Sequence, residues 1–154
     1  MIVPIIEETS KGTLIKTPFA PNFANRLMLK HGDSKYKFLR KLVTAYYELA
    51  QYLFLVGSKS LLYFAAERYL KHNRVDVIIA TGSPFILFDY ASKLSNKYNI
   101  PWIADYRDPW SQNIVIQQNF LFRNWHTYFE KKIVKTSSLI ITVSQFLHSV
   151  NFRL

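Results

Sequence analysis

The chain has no cysteine among its 154 residues. Disulfides and cysteine-ligated zinc are therefore excluded, which fits a reducing cytoplasm. Glycine is scarce, at four residues with no Gly-Gly pair, and the glycine pattern and Lys-Ser/Thr ending of a nucleotide P-loop are missing. Carboxylates are outnumbered: ten Asp+Glu stand against twenty Lys+Arg, giving a formal net charge of +10. Such an excess attracts polyanions, whether an anionic bilayer, nucleic acid or phosphorylated ligands. Long apolar runs are also missing. The best candidate, Leu42 to Val56, falls short of the roughly 20 residues that cross a hydrocarbon core, and Glu48 would be costly there. The first residues, Met1-Ile-Val-Pro-Ile-Ile6, lack the basic start and apolar length of a signal peptide.

What is present is apolar and patterned. A hydrophobic content of 49% with 16% aromatics excludes a disordered chain, and the length suits one domain with a core, 1–154. Three β-branched runs stand out: Val75-Asp-Val-Ile-Ile-Ala-Thr81, Pro101-Trp-Ile-Ala-Asp-Tyr106 and Leu139-Ile-Ile-Thr-Val143. Alternating with helical sequence, they predict a parallel sheet buried on both faces, with right-handed crossovers. The expected fold class is α/β, a Rossmann-like three-layer parallel sheet with a βαβαβα core over 75–151. Residues 1–34 read as irregular, with one strand at Thr13–Thr17 and a loop punctuated by Pro21, Asn22, Asn25, Gly32 and Asp33. Residues 35–72 read as helical: one helix from an N-cap at Ser34 to Gly57, a second from Ser58 to His72. A further helix over 84–97 is expected, with Ser83 as N-cap and Pro84 in its first turn.

In a parallel sheet, ligands bind beyond the carboxyl ends of the strands. The residues expected there are Thr81-Gly82-Ser83-Pro84, Asp105-Tyr106-Arg107-Asp108-Pro109-Trp110 and Ser144. The first is a strand-to-helix turn where free N–H groups would form an anion site and Gly82 would admit a close backbone approach; by residue pattern alone, a well-made turn with an N-cap is the default. In the second, Asp105 and Arg107 share a face and Asp108 sits at the rim. Asp105 suits sugar hydroxyls, Arg107 a bidentate phosphate and Trp110 a sugar ring. The alternative is an Asp–Arg pair closing the strand end under a Trp110 core lid. Ser144 is a cleft-edge candidate or a helix cap. His126 and Glu130, four positions apart, are expected to share a local hydrogen bond. No metal spacing emerges, so no metal is expected.

The ordered segments Asp76-Val-Ile-Ile-Ala-Thr-Gly-Ser-Pro84, Ile100-Pro-Trp-Ile-Ala-Asp-Tyr-Arg-Asp-Pro-Trp110, Tyr128-Phe-Glu-Lys-Lys132 and Ser138-Leu-Ile-Ile-Thr-Val-Ser144 resemble the amino-terminal, acceptor-side domain of family 4-like bacterial glycosyltransferases of GT-B fold. Gly12-Thr-Leu-Ile-Lys-Thr-Pro18 is similar to an earlier strand of that domain. The resemblance implies transfer of a sugar from a nucleotide-sugar donor to a cell-envelope glycan or lipid-linked acceptor. It places Asp108 in the cleft as a candidate catalytic residue and makes Glu130 a support for the sheet edge. It also implies a partial domain. The family's Gly-Gly loop is missing, and so are the two glutamates, eight positions apart, of its donor-binding domain. The nucleotide-sugar is thus expected only with that second domain, and the chain alone is expected to be inactive. No other cofactor is expected.

The basic residues cluster at Lys35, Lys37, Arg40 and Lys41, just before the apolar Leu42–Val56 stripe. Burial of that stripe in the core is the default; the alternative lays it in a membrane interface with the four cations at the headgroups. The resulting expectation is a cytoplasmic protein, peripheral on the inner face of the membrane. Nucleic acid is disfavoured, because no nucleic-acid motif accompanies the charge. The competing function is a stand-alone basic binding module for phosphate-bearing ligands or a membrane surface. An exposed apolar surface, with self-association through it, is also expected.

Overall fold

The computed structural model describes residues 4–108, 110–111 and 120–143. The chain forms two compact units, Met1–His72 and Asn73–Leu154, within the span expected as one domain.

The first unit opens with an antiparallel hairpin of β1 (Ile5–Thr9) and β2 (Gly12–Lys16), in register from Ile5↔Lys16 to Thr9↔Gly12. The Thr9 hydroxyl donates to the Gly12 carbonyl at 2.6 Å across the turn. Only β2 was expected, and it pairs with β1 rather than joining the parallel sheet. The region read as a loop contains a helix, α1 (Phe23–His31). Its supposed breakers are its caps: the Asn22 side chain accepts from Asn25 N–H at 2.9 Å, and Gly32, at φ 79°, donates back to Met28. α2 (Lys37–Ala50) packs on α1. It starts after Tyr36, in a left-handed conformation, rather than at Ser34. α3 (Ser60–His72) follows.

The second unit is α/β. β3 (Ile78–Thr81), α4 (Ile86–Tyr98), β4 (Trp102–Tyr106), α5 (Phe120–Val134) and β5 (Leu139–Thr142) alternate, and the strands form a parallel sheet in the order β3-β4-β5. Register pairs Ile78 with Trp102 and Ile103 with Leu139. Period-two alternation sends Trp102, Ala104 and Tyr106 to one face, each fully buried. Phe88 of α4 meets Trp102 and Tyr106 there, with ring centroids 5.8 and 4.9 Å apart. The Trp102 indole donates to the Thr136 hydroxyl at 3.0 Å, and Ser92 of α4 shares that hydroxyl. α4 and α5 also pack on each other.

The opposite face carries Ile79, Leu139 and Ile141, which are 60%, 54% and 43% exposed. A parallel sheet is normally covered on both sides. The sequence predicted a sheet buried on both faces in three layers; among the described residues this face is exposed instead, because α4 and α5 pack side by side. Ser83 does not cap α4 as anticipated: Phe85 holds the N-cap position without a side-chain bond, and Ser83, at φ 65°, precedes a cis Ser83–Pro84 bond.

Candidate functional site

Parallel register brings Thr81 beside Asp105 at the carboxyl edge of the sheet. The Thr81 hydroxyl donates to Asp105 Oδ2 at 2.9 Å, and Arg107 Nε approaches the same oxygen at 3.4 Å. The Gly82 N–H continues the ladder by donating to the Asp105 carbonyl at 2.9 Å. The Asp105 side chain is mostly buried and that of Arg107 mostly exposed. Asp105 Oδ1 makes no hydrogen bond among the described residues. Ser83 and Asp108 are exposed beside this pair. These contacts join Thr81, Asp105 and Arg107; Ser83 and Asp108 follow them along the chain, and Ser144, the remaining candidate, lies outside the described residues. Among the described residues no metal-binding cluster occurs.

Two members of the expected site have other work. Trp110 is 3% exposed, stacked on Phe85 with centroids 5.1 Å apart and planes 3° from parallel. Its indole donates to His126 Nδ1 at 3.2 Å. It is a core lid between the two loops and not a surface for a sugar ring. Gly82 is buried, and a Cβ built there would lie 2.6 Å from Phe85 Cε1 and 3.1 Å from Phe88 Cζ. Its missing side chain makes room for Phe85, where the sequence suggested room for a ligand. Replacement by alanine must displace that ring, so Gly82→Ala is expected to lower stability by about 1–3 kcal/mol. Urea denaturation measures it, and a loss below about 0.5 kcal/mol would mean that Phe85 yields freely.

His126 and Glu130 do not bond to each other as their spacing suggested; each reaches the segment after β4. Glu130 is fully buried. Its Oε1 accepts from Tyr106 OH at 3.0 Å; its Oε2 accepts from the Ser111 N–H at 3.1 Å and from the Ser111 hydroxyl. Burial raises the Glu130 carboxyl above its ordinary range, and the Ser111 and Tyr106 donors pull it back. Burial, reinforced by the Glu130 charge, raises the Tyr106 phenol. Burial lowers His126 below 6.5, keeping its imidazole neutral as Trp110's acceptor. Sequence reasoning missed Phe85, Tyr106 and Ser111 as parts of this arrangement. The only local signal was that His126 and Glu130 lie on one side of a helix.

The depressed His126 pKa has a definite pH consequence. As pH falls below 6.5, the unfolded chain takes up a proton before the folded one, so stability declines. Glu130 opposes this: its raised folded pKa makes stability fall as pH rises above 4.5. In melting curves from pH 7.5 to 5.5, His126→Asn should show a smaller loss on acidification than wild type. The difference is bounded by about 1.4 kcal/mol per pH unit for one proton. Parallel curves would mean that His126 titrates alike in both states.

The four cations before the apolar stripe are not equivalent. Lys35, Lys37 and Lys41 are exposed. Arg40 is bound to Asp33, with Nη2 2.9 Å from Oδ1 and Nη1 donating to the backbone carbonyl at 2.8 Å. Leu42 and Tyr46 are 53% and 60% exposed, with Leu49, Leu53 and Phe54 also exposed, while Ala50 and Tyr52 are buried, so the stripe is core only in part. Val43, Tyr47 and Ala50 form the more buried side. At about 100° per residue, Lys37 leaves α2 roughly opposite Leu39, Leu42 and Tyr46, while Lys41 flanks the exposed Phe38 and Leu49. Among the described residues, no helix is long and apolar enough to cross a membrane.

Comparison with family models, curated proteins and solved structures finds no match to this chain.

Proposed function

We propose that the carboxyl edge of the parallel sheet is a hydroxyl-binding site, the acceptor side of a glycosyltransferase that moves a sugar from a nucleotide-sugar donor to a cell-envelope glycan or lipid-linked acceptor. The observation that carries this is Asp105: one oxygen is held by Thr81 and Arg107, and the other is without a hydrogen bond among the described residues. A carboxylate fixed in this way can accept from a sugar hydroxyl without first losing a protein partner. Asp105 and Asp108 make the rim acidic around Arg107, which favours a neutral polyol over a phosphate. Asp108, exposed at the edge, is the candidate base for the acceptor hydroxyl. The order of Thr81-Gly-Ser-Pro84 and Asp105-Tyr-Arg-Asp-Pro-Trp110 along the chain supports the glycosyltransferase assignment.

Amide chemical shifts of the labelled chain test the site. Neutral mono- and disaccharides should perturb Gly82, Asp105, Arg107 and Asp108, and Asp105→Asn should weaken the effect at least tenfold. Perturbation by inorganic phosphate alone, or by sugars only elsewhere, overturns the assignment in favour of a phosphate-binding module.

A further inference from the structure

A second surface of the α/β unit is set apart by its charge and lies away from the rim. α5 buries His126, Phe129, Glu130 and Ile133 on one side. At about 100° per residue, the other side carries Leu121, Tyr128, Lys131 and Lys132, continued by Lys135 just past the helix end. Leu121 and Tyr128 are 71% and 57% exposed, and the three lysines are exposed as well. Glu130, the sole carboxylate of α5, is buried on the opposite side, so this face has no acidic residue. Lys131, Lys132 and Lys135 make no ion pair among the described residues. Instead, the Lys132 ammonium lies 5.9 Å from the centroids of both the Tyr128 and Phe129 rings.

We propose that this face of α5 docks on a membrane surface containing anionic phospholipid. Leu121 and Tyr128 enter the headgroup boundary, and Lys131, Lys132 and Lys135 meet the lipid phosphates. Apolar and cationic side chains on one helix side are the pattern of a helix lying in that boundary, and the charge is complementary to an anionic leaflet. A single-stranded nucleic acid would need a basic groove lined by stacking platforms, whereas these residues stand on one convex helix side. The cations at the start of α2 fit less well, because Arg40 is committed to Asp33 and Lys37 lies opposite Leu39, Leu42 and Tyr46, which leaves Lys41 alone on the flank of that side.

Sedimentation with phosphatidylcholine vesicles, with and without phosphatidylserine, tests this at low and high salt. Wild type should bind the anionic vesicles only, and high salt should release it. Lys131→Gln/Lys132→Gln/Lys135→Gln should lower partitioning roughly 100-fold. Lys35→Gln/Lys37→Gln/Lys41→Gln, with the same change in net charge, should lower it less than about threefold. Leu121→Ser alone should weaken binding without altering its salt dependence. Equal loss in the two triple variants overturns the assignment to α5. So does equal binding to both vesicle types, no binding to either, or displacement from vesicles by single-stranded RNA at lower concentration than by soluble phosphoserine. Circular dichroism checks that the variants fold, and the wild-type lipid and salt dependence decides the matter if one does not.

Discussion

Replacing Glu130 with alanine is expected to destabilise the α/β unit by about 3–5 kcal/mol, among the largest losses for a single substitution in this chain. The carboxylate is fully buried and accepts from three donors: Tyr106 OH, the Ser111 N–H and the Ser111 hydroxyl. Truncation leaves a cavity and removes all three partners, and each buried donor left unsatisfied costs about 1–3 kcal/mol. Glu130→Gln keeps the volume and one carbonyl oxygen but points an amide NH2 donor at a site built from donors, so about 1–3 kcal/mol is expected. Urea denaturation monitored by circular dichroism gives both numbers. A loss under about 1 kcal/mol for alanine would show that the segment after β4 is held by something else. Because Asp105, Arg107 and Asp108 lie on the strand and turn that this carboxylate secures, Glu130→Ala should also abolish saccharide-induced shifts at the rim.

Trp110→Ala should cost a comparable amount, about 3–5 kcal/mol, through the loss of a large buried ring. Trp110→Phe separates the two parts of that effect. It retains an aromatic face for Phe85 but removes the indole donor to His126, so about 1–2 kcal/mol is expected. A double-mutant cycle with Phe85→Ala should give a coupling of about 0.5–1.5 kcal/mol, the usual size for a stacked pair. Zero coupling would mean that the parallel rings touch without joining the two loops energetically. These substitutions lie on the buried side of the rim, so they lower saccharide binding by loosening the segment and not by removing a contact with the sugar.

Local pattern alone established much of the α/β unit. The β-branched runs ending at Thr81, Tyr106 and Val143 contain strands because they form no helical apolar stripe and are bounded by turn residues. Their ends lie level in a parallel register, so strand pattern alone puts Thr81, Asp105 and Arg107 on one edge. The same logic failed between residues 18 and 33, where Asn22 and Gly32 looked like loop punctuation. Both residue types serve in loops and as helix caps, and only the nine residues between them, held against α2, distinguish the two roles. Tertiary structure alone decided what Trp110, Gly82 and Glu130 do. Trp110 is as able to stack on a sugar as on Phe85, and the outcome depends on which ring is within reach. Gly82 is small because Phe85 and Phe88 need its space. Glu130 sits 19 residues from Ser111 and 24 from Tyr106, so its bonds follow from how α5 lies on the sheet. Period, propensity and turn chemistry act over a few residues and are written along the chain. The partner of a buried polar group is fixed by long-range packing and exists only in the folded structure.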